Sequence, residues 1–273
     1  MTEAQRYRSD SVDVASAVLG LSRRATVWIP SGARASSRSP VLYLNDGQNL
    51  FDSARAYAGV TWRVAETAAW LIERRLIPPL VIVGIDHGEL RRAREYLPVE
   101  DERNPFARDP LATEYGSFVT KELMPFIERE YPVARGASNT AFGGSSYGAV
   151  AALFTAMTNP GVFGRLLLES PSLYVGRGAL LKRARRTRRW PQRVYLGVGT
   201  AETRRDDWNA ETVANVRRLE AILHGSGLGA RRLRVTVEEG ASHSEAAWAG
   251  RFAQALEFLF GTGAHSSARS VAS

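Results

Sequence analysis

The chain has 273 residues, 44% of them hydrophobic, enough to bury a large core. Its zero cysteines exclude disulfides, thiolate metal sites and a cysteine nucleophile together. A net charge of +8 raises a nucleic-acid reading, but the basic residues are nearly all Arg and are spread along the chain.

The N-terminus, "MTEAQRYRSDSVD", is polar and lacks the apolar core of a signal peptide, and no 18-residue apolar run exists. The expectation is a cytoplasmic protein without a membrane partner. Residues 1–9 are expected to be a flexible lead, 10–261 a single domain and 262–273 a disordered tail. In chain order, strand signals fall at 25–30 ("ATVWIP"), 40–45 ("PVLYLN") and 79–85 ("PLVIVGI"), with a helix over 61–76 before the third. A stretch at 87–113 then has few apolar residues and three prolines; it reads as an irregular rim or lid facing substrate. A helix at 117–131, a strand at 140–144, a helix at 147–158 and strands at 165–170 and 193–199 follow. The run "LKRARRTRRWPQR" at 181–193 lacks interleaved aromatics and reads as a solvated basic helix face, so a nucleic-acid partner is disfavoured. A helix at 209–227, a strand at 232–239 and a helix at 244–261 close the pattern. Apolar strands separated by helices imply an α/β class with a mostly parallel sheet covered on both faces. Functional groups should then gather at the carboxyl ends of the strands.

Gly144-Ser145-Ser146-Tyr147-Gly148 fits G-x-S-x-G with Ser146 at its centre, between a short strand and a helix. The turn is sharp, so side chains two residues either side of the nucleophile would collide. An activated serine needs a base, and there are four histidines. His224 sits in the last turn of a helix, His265 in the tail, and His87 precedes the serine. His243 follows the last strand and alone satisfies the order serine, acid, histidine. A capping box, Ser242-x-x-Glu245, would start the final helix there. The positive helix end disfavours the imidazolium formed in catalysis, so a carboxylate behind the ring is needed. Glu202, three residues after Gly199, is the leading candidate; Asp206 and Asp207 are alternatives, Asp207 also suiting a helix cap. The oxyanion hole would take the N–H of Tyr147 and that of Gln48, in a turn that Gly47 lets bend.

These segments form an ordered set: "VLYLNDGQNLFD", "PLVIVGID", "RAREYLP", "GSFVTKELMPFIEREYPV", "FGGSSYGAVAALF", "FGRLLLESPSLY", "GVGTAE" and "GASHSEAAW". Together they make residues 10–261 resemble the Putative esterase family of the α/β-hydrolases, which includes esterase D, siderophore esterases, feruloyl esterases and mycolyltransferases. The resemblance implies the α/β-hydrolase fold, Ser146, His243 and Glu202 as the triad, Gln48 and Tyr147 as oxyanion donors, and no cofactor or metal. It also places Arg92 to Pro98 near the rim, where Arg94, Glu95 and Tyr96, with His87, either touch substrate or order the loop. Ala149 stands where many members have glycine, and the signal peptide of the secreted members is missing. The expected function is a serine ester hydrolase acting on a small-molecule aryl, feruloyl-like or siderophore-type ester. Arg91, Arg92, Arg94, Arg103 and Arg108 would suit an anionic or catecholate substrate. An acyltransferase and a non-catalytic nucleic-acid-binding protein are the alternatives, and the oligomeric state is open.

Overall fold

A computed structural model describes residues 7–31, 33 and 38–261. The expected lead up to residue 6 and the tail 262–273, with His265, lie outside the described residues. One eight-stranded sheet has the order β1-β2-β4-β3-β5-β6-β7-β8. The strands are β1 (Tyr7–Ser16), β2 (Leu21–Pro30), β3 (Val41–Asn45), β4 (Val81–Ile85), β5 (Thr140–Ser145), β6 (Arg165–Glu169), β7 (Arg193–Gly199) and β8 (Leu233–Glu238). β1 and β2 pair antiparallel, β2 joins β4 antiparallel, and the remaining pairs are parallel. The expected α/β class holds.

Three expectations need correction. Residues 7–9 belong to β1, an edge strand paired with β2 along its whole length, rather than to a flexible lead. One side of β1 faces solvent, so it carries no apolar run to announce it. The 87–113 stretch is not irregular throughout: a 3₁₀ turn at Glu89–Arg91 leads into α2 (Arg92–Tyr96), and α3 (Ala112–Phe118) begins inside its end. The basic run at 181–193 is helical only at its start, in α6 (Val175–Ala184).

The other helices are α1 (Val64–Glu73), α4 (Met124–Glu130), α5 (Ser146–Thr158), α7 (Asp206–Gly225) and α8 (Glu245–Phe260). Alternate strand residues point to opposite faces. Leu42, Leu44, Ile82, Leu167 and Tyr195 pack with α1 and α8, whereas Tyr43, Val83, Phe142, Leu166 and Leu196 pack with α2 to α7. Each such fully buried side chain contributes about 1.5–3 kcal/mol of hydrophobic stabilisation. With both faces covered, the sheet is left open at its strand ends, and the turns after β3, β5, β6, β7 and β8 meet at the carboxyl edge. Among the described residues no helix is long and apolar enough to cross a membrane.

Candidate active site

β5 runs directly into α5, with Ser145 closing the strand and Ser146 opening the helix. Ser146 has φ 54°, in the left-handed region that L-residues seldom adopt. Space explains the flanking glycines. A Cβ on Gly144 would lie 2.9 Å from the Gly148 carbonyl carbon, and one on Gly148 would lie 2.8 Å from Asp46 Oδ2. Ser145 is buried at the strand end, so the two adjacent serines are not equivalent.

Glu202 follows β7 and folds back on it. Its Oε1 accepts the Gly199 N–H at 2.6 Å and the Ser170 hydroxyl at 2.7 Å, and its Oε2 meets His243 Nδ1 at 2.5 Å. Burial raises the carboxyl's pKa, but the bonds from His243, Ser170 and Gly199 and the charge of His243 outweigh it, leaving it below its usual value. Asp206 and Asp207 lie in the first turn of α7, and Asp207 pairs on the surface with Arg205. Asp207 does not cap α7, which begins one residue before it.

His243 lies in the turn between β8 and α8, its ring edge-on to Trp248 with centroids 5.0 Å apart. The capping box is displaced: Ser244, not Ser242, caps α8 by accepting the Ala247 N–H, and Glu245 accepts instead from Asn49. His224 lies in the last turn of α7 with Nδ1 on the Leu228 carbonyl, and it does not line the cleft that the other groups share.

Ser146, Tyr147, Glu202 and His243 line one cleft of about 490 Å³. Ser146 Oγ lies 3.3 Å from Ser172 Oγ, and among the described residues no hydrogen bond joins it to His243. Catalytic contacts in unliganded enzymes are often long and tighten with substrate. Tyr174 and Trp208 form aromatic walls, and the 87–113 segment contributes Arg103 and Asn104. Tyr147 anchors that segment, donating its hydroxyl to the buried Asp101 at 2.6 Å.

Gln48 turns its side chain away from the cleft. It lies in a 3₁₀ turn, Gly47–Asn49, after β3, and its side chain bonds both backbone groups of His87, at 3.0 and 3.2 Å. The left-handed residue of that turn is Asp46 (φ 59°), so Gly47 is not what permits the bend. Gly47 permits close packing instead: a Cβ there would lie 2.7 Å from the Gly84 carbonyl carbon and from Asp86 Oδ1. The turn is tied to the elbow by Asn45, whose Nδ2 donates to the Gly148 carbonyl at 2.7 Å and whose Oδ1 accepts from Tyr115. Arg92 grips both oxygens of Asp46, at 2.6 and 2.9 Å.

None of the four rim candidates lines the cleft. Glu95 is wholly buried and bonded through both oxygens to Arg23 of β2. Tyr96 is also wholly buried, its ring tilted at 60° against Tyr115, and accepts the Asp46 N–H at 3.2 Å. Arg94 binds the Asp109 carbonyl across the loop. His87 accepts the Glu89 N–H at Nδ1, and burial lowers its pKa, partly offset by Asp46. The five-arginine cluster likewise does not face substrate as a unit. Arg91, Arg92, Arg94 and Arg108 pair with Glu95, Asp46, Asp109 and Glu100, leaving Arg103 to the cleft.

Sequence reasoning placed a pocket wall in the segment after Ser170, which holds Ser172 and Tyr174, but named none of Ser170, Ser172, Trp248, Tyr174 and Trp208 as a site residue. Their signal was positional for the two serines alone, which follow the carboxyl end of β6. Ser170 accepts the Trp248 indole N–H at 2.9 Å while donating to Glu202, so α8 holds the acid through one hydroxyl.

Residues 16–259 match the family described as Putative esterase. The uncharacterized protein YbbA of Bacillus subtilis (strain 168) is 24% identical over 246 residues, 88% of this chain and 93% of YbbA. The Iron(III) salmochelin esterase of Escherichia coli O6:H1 is 29% identical over 58% of this chain and 34% of its own. Among solved structures, the enterobactin esterase FES from Shigella flexneri superposes with a TM-score of 0.71 at 22% identity, covering 92% of this chain. This chain spans only 59% of that esterase's length. With its α/β-hydrolase sheet and a match over most of its length, the chain belongs to the Putative esterase family of ester hydrolases.

Proposed function

We propose that the protein is a serine carboxylic-ester hydrolase in which Ser146, His243 and Glu202 form the triad. The observation that carries this is the bond from Glu202 to His243 Nδ1, which leaves Nε2 as the free ring nitrogen in the cleft that Ser146 lines. In acylation, Ser146 Oγ turns from Ser172 and attacks the ester carbonyl while His243 Nε2 takes its proton. The ionised Glu202 fixes the ring's tautomer and offsets the imidazolium charge. The oxyanion rests on the N–H of Tyr147, which as the second residue of α5 has no helical acceptor, and on that of Gln48, whose turn Arg92, Tyr96 and His87 brace. His243 then protonates the leaving alcohol, and water repeats the sequence on the acyl-enzyme.

The aromatic walls Tyr174 and Trp208, with Tyr147, favour an aryl or aryl-acyl ester. The similarity to an enterobactin esterase is compatible with that class. A panel of short-chain aryl esters on wild type and Ser146→Ala tests the reading, with added alcohols as competing acceptors. Turnover that depends on Ser146 and yields free acid is expected. Full activity in Ser146→Ala contradicts the triad, and acyl transfer chiefly to alcohol would make the enzyme a transferase.

A further inference from the structure

A second cavity, of about 570 Å³, lies beside the catalytic cleft and shares Arg103, Tyr174 and Glu211 with it. Arg177, Lys182, Arg185 and Arg218 add four more cations to its lining. They come from α6 with the residue just after it and from α7, and Arg103 comes from the 87–113 segment, so three separate parts of the chain converge their positive charge on one space. Glu211 is the one carboxylate in that lining.

The pairing of these cations is unlike that of the other loop arginines. Lys182 and Arg185 have no carboxylate partner among the described residues. Arg218 bonds the neutral amide of Asn215 at 2.9 Å, and Arg177 makes a loose exposed pair with Glu102 at 3.6 Å. The Arg103 guanidinium lies over Tyr174 at 4.6 Å and over Trp208 at 4.7 Å, held at the shared wall by two rings rather than by an acid. An ordinary solvated helix face disperses its charges, and part of the 181–193 run does so. Arg183 stacks on Phe154, and Arg193 binds the carbonyls of Phe258 and Leu259. Lys182 and Arg185 instead join Arg218 around the cavity. Like charges gathered with little compensation repel one another, and an anion placed among them relieves that repulsion.

We infer that this cavity is an anion subsite of the catalytic cleft, and that the substrate is an ester carrying a carboxylate or phosphate group beyond the aromatic walls. The inference rests on the esterase reading of Ser146. The anion is held by exposed cations, so its contribution is modest, screened by salt, and felt mainly in KM and in encounter.

The test uses the full chain and matched esters. For an anion on the acyl side, 4-nitrophenyl hemiglutarate is compared with 4-nitrophenyl valerate. For an anion on the alcohol side, 4-(butyryloxy)benzoate and 4-(butyryloxy)phenyl phosphate are compared with phenyl butyrate; those two arms separate a carboxylate from a phosphate preference. At low salt, kcat/KM for the anionic ester is expected to exceed its neutral partner by about tenfold for at least one placement, and the gap should close as salt rises toward about 0.5 M. The double variant Lys182→Ala/Arg185→Ala, and separately Arg218→Ala, should reduce that preference through KM, about five- to tenfold for the double variant, and leave the neutral ester unchanged. Equal turnover of all pairs overturns the inference, as does a preference that survives both variants or a loss that falls equally on the neutral ester. If neutral-ester turnover does not depend on Ser146, the esterase reading itself fails. If it depends on Ser146 but shows no anion preference, only the subsite fails.

Discussion

Two buried carboxylates, one before and one after the proposed nucleophile in the chain, are held in opposite ways. Glu95, behind the turn that follows β3, is gripped by the guanidinium of Arg23 and approached by Arg91 at 3.1 Å. Glu202, at the cleft, is held by an amide, a hydroxyl and an imidazole, with no Arg or Lys among the described residues bonded to it. Permanent cations neutralise Glu95 and fix it as a strut. Donors without a permanent charge keep Glu202 ionised while leaving its charge to answer the one group that would change protonation in the proposed reaction, His243. Burial of a charged residue therefore does not mark a site by itself; the kind of partner does.

That contrast can be broken by isosteric changes. Glu202→Gln should lower kcat by about 10⁴-fold with the fold kept, because an amide cannot offset the imidazolium and favours the wrong tautomer; steady-state kinetics beside a denaturation curve measure both. Glu95→Gln should do the reverse, costing about 3–5 kcal/mol of stability by leaving Arg23 buried without its counter-charge. Urea unfolding reads that loss, and kcat of the folded fraction should change only a few-fold. Equal behaviour of the two variants would remove the distinction.

Ser170→Ala sharpens it on the cleft side. The change removes one of three bonds to Glu202 and leaves the Trp248 N–H without its acceptor, so kcat should fall about tenfold. KM should stay near its wild-type value, and Ser170→Thr should recover part of the loss. The smallest effect concerns the bracing side. The His87 imidazole is kept neutral by burial, and its Nδ1 accepts an N–H. Its folded pKa lies below the unfolded value of about 6.5, so the folded state binds fewer protons and loses stability as pH falls through that value. Wild type should therefore lose ground to His87→Gln between about pH 7 and 5.5, as read by urea unfolding. Parallel curves would contradict a buried neutral ring.

The elbow was legible because its glycines stand at fixed spacing about the serine: a side chain on Gly144 would meet the backbone of Gly148, and one on Gly148 would meet the turn after β3. Glu202 was legible as the leading one of three acids, by its place three residues after Gly199, since nothing else in "TAETRRDDW" states which carboxylate folds back on that strand end. Ser170 and Trp248 were not legible, because their contact spans 78 residues and exists only once β6 and α8 pack together. β1 was missed because an edge strand with one solvated face has the composition of a flexible lead. Of the two roles open for 94–96, touching substrate or ordering the loop, the contacts favour the second. Charged residues look exposed in a sequence, yet Glu95 of α2 and Arg23 of β2 bury each other.

The central claim is that Ser146 is the nucleophile that His243 activates. The most direct measurement is fluorophosphonate labelling of the intact protein, with the modified peptide mapped by mass spectrometry, for wild type, Ser146→Ala and His243→Ala. The account predicts one adduct on Ser146, absent in Ser146→Ala and formed far more slowly in His243→Ala. An adduct on Ser145, Ser170 or Ser172, or labelling at the wild-type rate without His243, would contradict it.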